Sequence, residues 1–216
     1  MIQISATLLL KRLRIDNREF VTSDGVRDYC KKMKIEYDPA IRYFVKKGYF
    51  LRIFKGIFYI RPFDELELGR VRYSHLELVA KGLELKNVTN WYFGLHTALK
   101  LNSVTHEHFS IEEVVSDKIF RARPMKIAGR TFRFIKLSSR MLSFGVVEGK
   151  GIRYSDLEKT ILDFAYLWRY NGVPVEKIAA DISEWAEGAS RKKLTEHARE
   201  YPSTVRGIIE MISKAK

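Results

Sequence analysis

Cysteine is nearly missing from this sequence: Cys30 stands alone among 216 residues. A single thiol excludes an internal disulfide and a multi-cysteine zinc site, and it points to a reducing, cytoplasmic setting. Long apolar runs are missing too. Stretches such as Ile57-Phe58-Tyr59-Ile60 are a few residues long, whereas a membrane-crossing helix needs roughly 20. A signal peptide is not expected, because Leu8-Leu9-Leu10 is short and Lys11, Arg12 and Arg14 follow it instead of preceding it. Glutamine occurs once, at Gln3, and asparagine five times. Scarce amides are a feature of heat-adapted proteins and predict a thermophilic source. No Gly-rich phosphate loop, G-x-S-x-G elbow or H-E-x-x-H helix occurs. The expectation is a protein that is not an enzyme and carries no cofactor.

Basic charge is abundant. Thirty-nine Lys and Arg against 26 Asp and Glu give +13, which favours polyanionic partners. The excess is concentrated: residues 1–62 carry a net +8 and residues 118–153 a net +9, so the remainder is acidic. The clearest break is Arg61-Pro62-Phe63-Asp64-Glu65, where a strand-like run meets proline and then acidic residues. It predicts domains over 1–63 and 64–216. Within the second, helical patterns cover about 66–84 and 92–101. Ile111–Val115, Met125–Ile127, Thr131–Leu137 and Ser143–Val147 have strand composition. From Tyr154 the pattern is helical, in three segments with breaks at Gly172-Val173-Pro174, Gly188 and Tyr201-Pro202.

The first sixty residues carry the most pattern. A first helix over about Ser5–Ile15 offers Leu9, Leu10 and Leu13 to a core. Thr22-Ser23-Asp24 supplies capping side chains, and Val26, Tyr29, Cys30 and Met33 follow as one helical stripe. After a short turn, Asp38 and Pro39 read as an N-cap with proline at the first helical position. Ile41, Phe44 and Val45 face inward, and Gly48 suits a left-handed stop. Arg42, Tyr43, Lys46 and Lys47 fall on the opposite face. Tyr49–Phe54 and Ile57–Arg61 are then joined by Lys55-Gly56, a two-residue hairpin signal. A helix, a helix-turn-helix with a basic second helix and a hairpin tipped by lysine make a winged helix. The candidate DNA contacts are Thr22, Ser23, Arg27, Arg42, Tyr43, Lys46, Lys47, Arg52 and Lys55. Arg42 and Tyr43 suit base or sugar, and Lys46, Lys47 and Lys55 suit phosphate. A winged helix used only for protein contacts stays open.

These residues resemble a known family. Lys47-Gly48-Tyr49-Phe50-Leu51-Arg52-Ile53-Phe54-Lys55-Gly56-Ile57-Phe58-Tyr59-Ile60 is similar to the wing of the AbiEi-type antitoxins. Tyr154-Ser155-Asp156-Leu157-Glu158-Lys159-Thr160-Ile161-Leu162-Asp163 resembles a helix start in that family's second domain. Ala98-Leu99, the strand pair around Gly129 and Phe144-Gly145 follow the same order of parts. The resemblance, over about residues 5–170, implies a repressor of its own operon whose C-terminal domain counteracts a nucleotidyltransferase toxin.

By their own pattern, the C-terminal residues show little chemistry. Ser155 with Glu158 reads as a capping box ahead of a core helix that presents Leu157, Ile161, Phe164, Ala165 and Trp168 on one face. Asp156, Glu158 and Lys159 lack the carboxylate–lysine spacing of a nuclease strand. His75, His96, His106 and His108 do not fix three metal ligands, so no metal is expected. The basic block is the richer feature: Arg121, Arg123, Lys126, Arg130, Arg133, Lys136 and Arg140 are candidate partner contacts. A solvated sheet face, a docking surface for an acidic protein and a second nucleic-acid contact all fit its charge. The family resemblance implies the protein partner. The predicted architecture is α+β: a winged helix-turn-helix followed by a mixed α+β domain. Its predicted role is DNA-binding autoregulator and antitoxin, and the alternative is an RNA-binding or RNA-processing factor using residues 118–153.

Overall fold

The computed structural model describes residues 2–214 and is an α+β protein with two sheets. Two compact units divide it. The first comprises the chain up to Asn87 with Lys126–Gly129, and the second comprises Val88–Met125 and the chain from Arg130 onward.

In the first unit, α1 (Ile2–Ile15) and β1 (Phe20–Thr22) lead into α2 (Ser23–Met33) and α3 (Tyr37–Lys46). Thr22 is the N-cap of α2, its Oγ1 accepting the Gly25 N–H at 3.1 Å. Val26 and Cys30 then turn into the core with Leu9, Leu13, Ile41 and Phe44. Burial raises the Cys30 thiol above its ordinary range, against the opposing pull of Arg27. The expected cap at Asp38 is displaced. Helix α3 starts earlier, after Glu36, and Pro39 sits in its first turn. Proline costs no hydrogen bond there, because the first four amides of a helix have no intrahelical acceptor. Gly48, in the left-handed region at φ 75°, follows the end of α3.

The hairpin joins β2 (Phe50–Phe54) to β3 (Ile57–Ile60), and the sheet order is β1-β3-β2, antiparallel throughout. Register slips between Arg52 and Phe54, a bulge that leaves both Ile53 and Phe54 buried. All of β3 is buried. A strand covered on both faces explains its unbroken apolar run. Helices α1–α3 cover one face through Phe50, Phe58 and Ile60. After α4 (Phe63–Glu67), α5 (His75–Leu85) lies against Ile53 and Phe54, close enough that a Cβ on Gly82 would meet both side chains at 2.7 Å. The first unit therefore extends past the break expected at residue 64, because the hairpin needs α5 as its second cover. The helical pattern over 66–84 is also not one helix. Residues 68–74 leave it, and Glu65 accepts a hydrogen bond from Tyr59.

The second unit opens with β4 (Trp91–Phe93) and α6 (Leu95–Leu101), where one helix was expected from residue 92. After β5 (Ile111–Ser116) and β6 (Met125–Ile127), most of which belongs to the first unit, β7 (Arg130–Lys136), β8 (Val146–Gly149) and β9 (Ile152–Ser155) give this unit a sheet of order β7-β5-β4-β9-β8. Pairs β5–β7 and β4–β9 are parallel, and β4–β5 and β8–β9 are antiparallel. A 3₁₀ turn over Ser139–Leu142 precedes β8, so the strand expected at 143–147 starts three residues later. Strand β9 occupies residues expected to begin a helix.

Helix α7 (Leu157–Tyr170) is the centre of this unit, packed by α8 (Val175–Ala186), α9 (Arg191–Ala198) and α10 (Ser203–Lys214). The three expected breaks thus separate four helices. Asp156, not Ser155, caps α7: its Oδ1 accepts the Lys159 N–H at 2.8 Å. Ser155 ends β9 and shares a hydrogen bond with Thr160. The expected capping box also loses Glu158, whose carboxylate accepts the Ser190 N–H at 2.7 Å. Tertiary partners have claimed both groups.

Candidate nucleic-acid interface

A concavity of about 450 Å³ in the first unit lies where α2, α3 and the hairpin converge. It brings together Ser23, Arg27, Arg42, Arg52 and Lys55 of the predicted contacts. The hairpin is tied there by backbone: the Ser23 N–H donates to Gly56 O at 2.7 Å. Gly56 sits at φ 77°, and a Cβ would come within 3.0 Å of Ser23 Oγ. Glycine is favoured on both counts. Tyr37 donates its hydroxyl to Ser23 Oγ at 2.7 Å, and the Arg27 guanidinium lies 4.0 Å above the Tyr37 ring.

The remaining predicted contacts sit differently. Lys46 and Lys47 are exposed at the end of α3 but do not line the concavity. Tyr43 is half-buried against Phe44 and Tyr49. Thr22 spends its hydroxyl on the α2 cap. Among the described residues, Arg42, Lys46, Lys47, Arg52 and Lys55 have no ion-pair partner, so their charge is available to an outside anion. The one acidic side chain lining the concavity, Asp38, was not expected to belong to it.

The basic block over residues 118–153 separates into parts. Arg121, Arg133 and Lys136 line one cleft of about 670 Å³, bounded by β7, the loop after β5 and the last turns of α7. Arg123, Lys126 and Arg130 are exposed but do not line it. Arg140 instead pairs with Glu200 at 3.0 Å. In-register pairing of Glu113 with Arg133 puts both on the face that carries α7, and Arg133 Nη1 approaches the Glu113 carboxylate at 3.5 Å. Aromatic side chains that sequence alone does not associate with this block, Phe120, Trp168 and Tyr170, line the same cleft.

In its first turns, α7 carries a buried polar cluster. Lys159 Nζ donates to Asp163 Oδ1 at 2.9 Å and to Tyr201 Oη at 2.8 Å. Tyr92 and Tyr201 donate their hydroxyls to the two Asp163 oxygens, each at 2.7 Å. Burial first, and the Asp163 charge second, hold both tyrosines well above the ordinary phenol range. The Lys159 ammonium also lies 4.7 Å from the Phe144 ring centre. Lys159 and Asp163 are fully buried, and the chemistry of the group is that of a satisfied core network.

No family model matches the chain, and no curated protein matches it. Its fold is similar to that of the RV2827C protein from Mycobacterium tuberculosis, known from a crystal structure. The TM-score is 0.62 at 12% sequence identity, over 98% of this chain and 77% of that one. Likeness at such identity concerns the fold alone.

Proposed function

We propose that the protein is a DNA-binding transcriptional autoregulator and antitoxin. In this reading residues 1–63 are a winged helix that represses the protein's own operon, and the α+β unit after it counteracts a nucleotidyltransferase toxin. The observation that carries the DNA-binding half is the convergence of Ser23, Arg27, Arg42, Arg52 and Lys55 on one concavity between a helix pair and a hairpin tip. The element order α1-β1-α2-α3-β2-β3 with sheet order β1-β3-β2 supports it. Helix α3 would enter the major groove, where Arg42 suits a base edge, while Lys55 meets flanking phosphate. Support for the antitoxin half is the family resemblance together with the exposed cations of the second unit.

The test is binding to duplex DNA from upstream of the protein's own gene against scrambled duplex of equal length, across a salt series. If Arg27, Lys46, Lys47, Arg52 and Lys55 each neutralise one phosphate, the slope of log K against log salt approaches about −4.5. Preference for the upstream duplex of about a thousandfold or more marks a regulator. Arg42→Ala costs about 1–3 kcal/mol and relaxes specificity, while Lys55→Ala weakens all sequences alike and reduces the slope by about one. Equal binding of both duplexes, or unchanged affinity in Arg42→Ala, refutes the reading. For the antitoxin half, growth rescue is measured with a nucleotidyltransferase encoded beside this gene. Failure of the full chain to rescue refutes that half.

A further inference from the structure

We propose that the cleft beside α7 binds single-stranded nucleic acid, stacking unpaired bases on Phe120 and Tyr170 while Arg121, Arg133 and Lys136 hold the backbone phosphates. This site does not rest on the repressor reading, since none of its residues belongs to the helix pair or the hairpin.

Two large aromatic side chains lie open at the cleft: Phe120 is 65% exposed and Tyr170 is 80% exposed. Trp168 lines the same wall, half-buried beside Phe164 and Trp185. Exposed apolar rings concentrated in one concavity mark a binding surface rather than ordinary scatter. Three cations line the same cleft. Arg121 and Lys136 have no ion-pair partner among the described residues, and Arg133 keeps half of its side chain in solvent beside Glu113. Rings interleaved with cations are the recurring surface for single strands, where every base offers a flat face and every linkage a charge. A duplex hides those faces inside its stack. An acidic peptide would use the cations and leave the rings without a matched partner. The volume, about 670 Å³, lies within the roughly 300–1,000 Å³ of ligand clefts and is concave, unlike most protein-docking faces.

The floor is prepared for a ligand. Leu95, a buried bulky residue, adopts the left-handed region at φ 52°, a conformation that is rare for such residues and enriched at binding and catalytic sites. Glu113 fixes the residue that follows Leu95. Its carboxylate, with only 4% of the side chain exposed, accepts the His96 N–H at 3.1 Å and contacts His96 Nδ1 at 3.0 Å. The His96 ring is itself fixed between Phe109 and Phe164, with centroids 4.5 and 4.8 Å away. Arg133, whose guanidinium approaches at 3.5 Å, offsets the Glu113 charge at the cleft.

The experiment uses the full chain and fluorescein-labelled oligo-U and oligo-dT of about 12 nucleotides, a length within single-strand site sizes. Anisotropy gives affinity, and quenching of tryptophan emission by stacked bases gives a second readout. Expected is binding tighter than to a GC duplex of equal length lacking the upstream sequence. Phe120→Ala and Tyr170→Ala each weaken it by about 5- to 150-fold, the range for losing one stacked base. Arg42→Ala with Lys55→Ala leaves it unchanged, which separates this site from the proposed duplex interface. Both aromatic variants alter exposed side chains, and urea unfolding followed by tryptophan emission verifies that they fold. Three outcomes overturn the proposal: no binding tighter than about 10⁻⁴ M, the weak end of non-specific association; no effect of either aromatic variant; or displacement by oligoglutamate as effective as by unlabelled oligonucleotide, which would identify an acidic protein partner.

Discussion

Lys159 is fully buried, and replacing it tests whether the polar cluster on α7 is a satisfied unit. In Lys159→Met the apolar stem keeps its contacts with the rings of Tyr92, Phe144 and Tyr201, whose centres lie 5.0, 4.7 and 5.3 Å from Nζ. What is lost is the partner of the Asp163 carboxylate, itself fully buried. Removing one member of a buried pair costs about 3–5 kcal/mol, because the other charge stays desolvated. Asp163 retains two hydroxyl donors, from Tyr92 and Tyr201. The cost is therefore placed at the low end, about 3 kcal/mol. Asp163→Asn strands the lysine in the same way. The double variant leaves no charge, and the amide oxygen that replaces the carboxylate can still accept from a tyrosine, so the double loss falls at least about 2 kcal/mol short of the sum. The assay is urea unfolding followed by tryptophan emission. Trp91, Trp168 and Trp185 are the only tryptophans, and all lie in the second unit, so the signal reports that unit alone. A loss of about 3 kcal/mol moves the midpoint by about 1–3 M urea. A Lys159→Met cost below about 1 kcal/mol, or additive single losses, refutes the view of a tightly coupled pair.

Gly82→Ala tests the packing of α5 on the hairpin by the sign of its effect. A solvated helix gains about 1 kcal/mol from the change. Here the new Cβ meets Ile53 and Phe54 at 2.7 Å, and overpacking at about 1–3 kcal/mol reverses that gain. Circular dichroism and tyrosine emission read it, and stabilisation would refute the packing. Alkaline pH tests the buried phenols. Tyr92 and Tyr201 have folded values raised above the unfolded one of about 10. Their stabilisation is complete below that pH and is lost as pH rises above it, by up to about 1.4 kcal/mol per unit for each tyrosine. Tryptophan-monitored stability should fall above about pH 10, and the fall should be shallower in Tyr92→Phe; an unchanged slope contradicts this. Scarce amides predict a melting midpoint above about 60 °C, and a lower value in a thermal scan removes that inference.

Local signals carried what the sequence alone determined. The α2 stripe behind Thr22, the short turn before α3 and the Lys55-Gly56 hairpin depend on caps, helical period and turn conformation, all written within a few neighbouring residues. Strand β7 was legible for the same reason, with four β-branched or aromatic residues among its seven. The two basic blocks were visible as counts. Short strands were not: β4 has three residues and β9 four, too few to establish a period against the helical residues beside them.

Tertiary structure decided the rest, because it depends on partners distant in the chain. Strand β3 is buried on both faces, so α5, some twenty residues later, belongs with the hairpin, and the first unit runs past Pro62. Ser155 and Glu158 have the spacing of a capping box, but Thr160 and the Ser190 amide take them, and Asp156 caps the helix instead. Spacing along one strand could not show that Arg133 and Lys136 share a cleft with Arg121 while Arg140 pairs with Glu200. Nor could it place Phe120 and Tyr170, fifty residues apart, on one cleft. A side chain's type and its helix or strand are local facts. What it faces is set by sheet order and helix packing, which put β7 beside β5 and carry α7 across them.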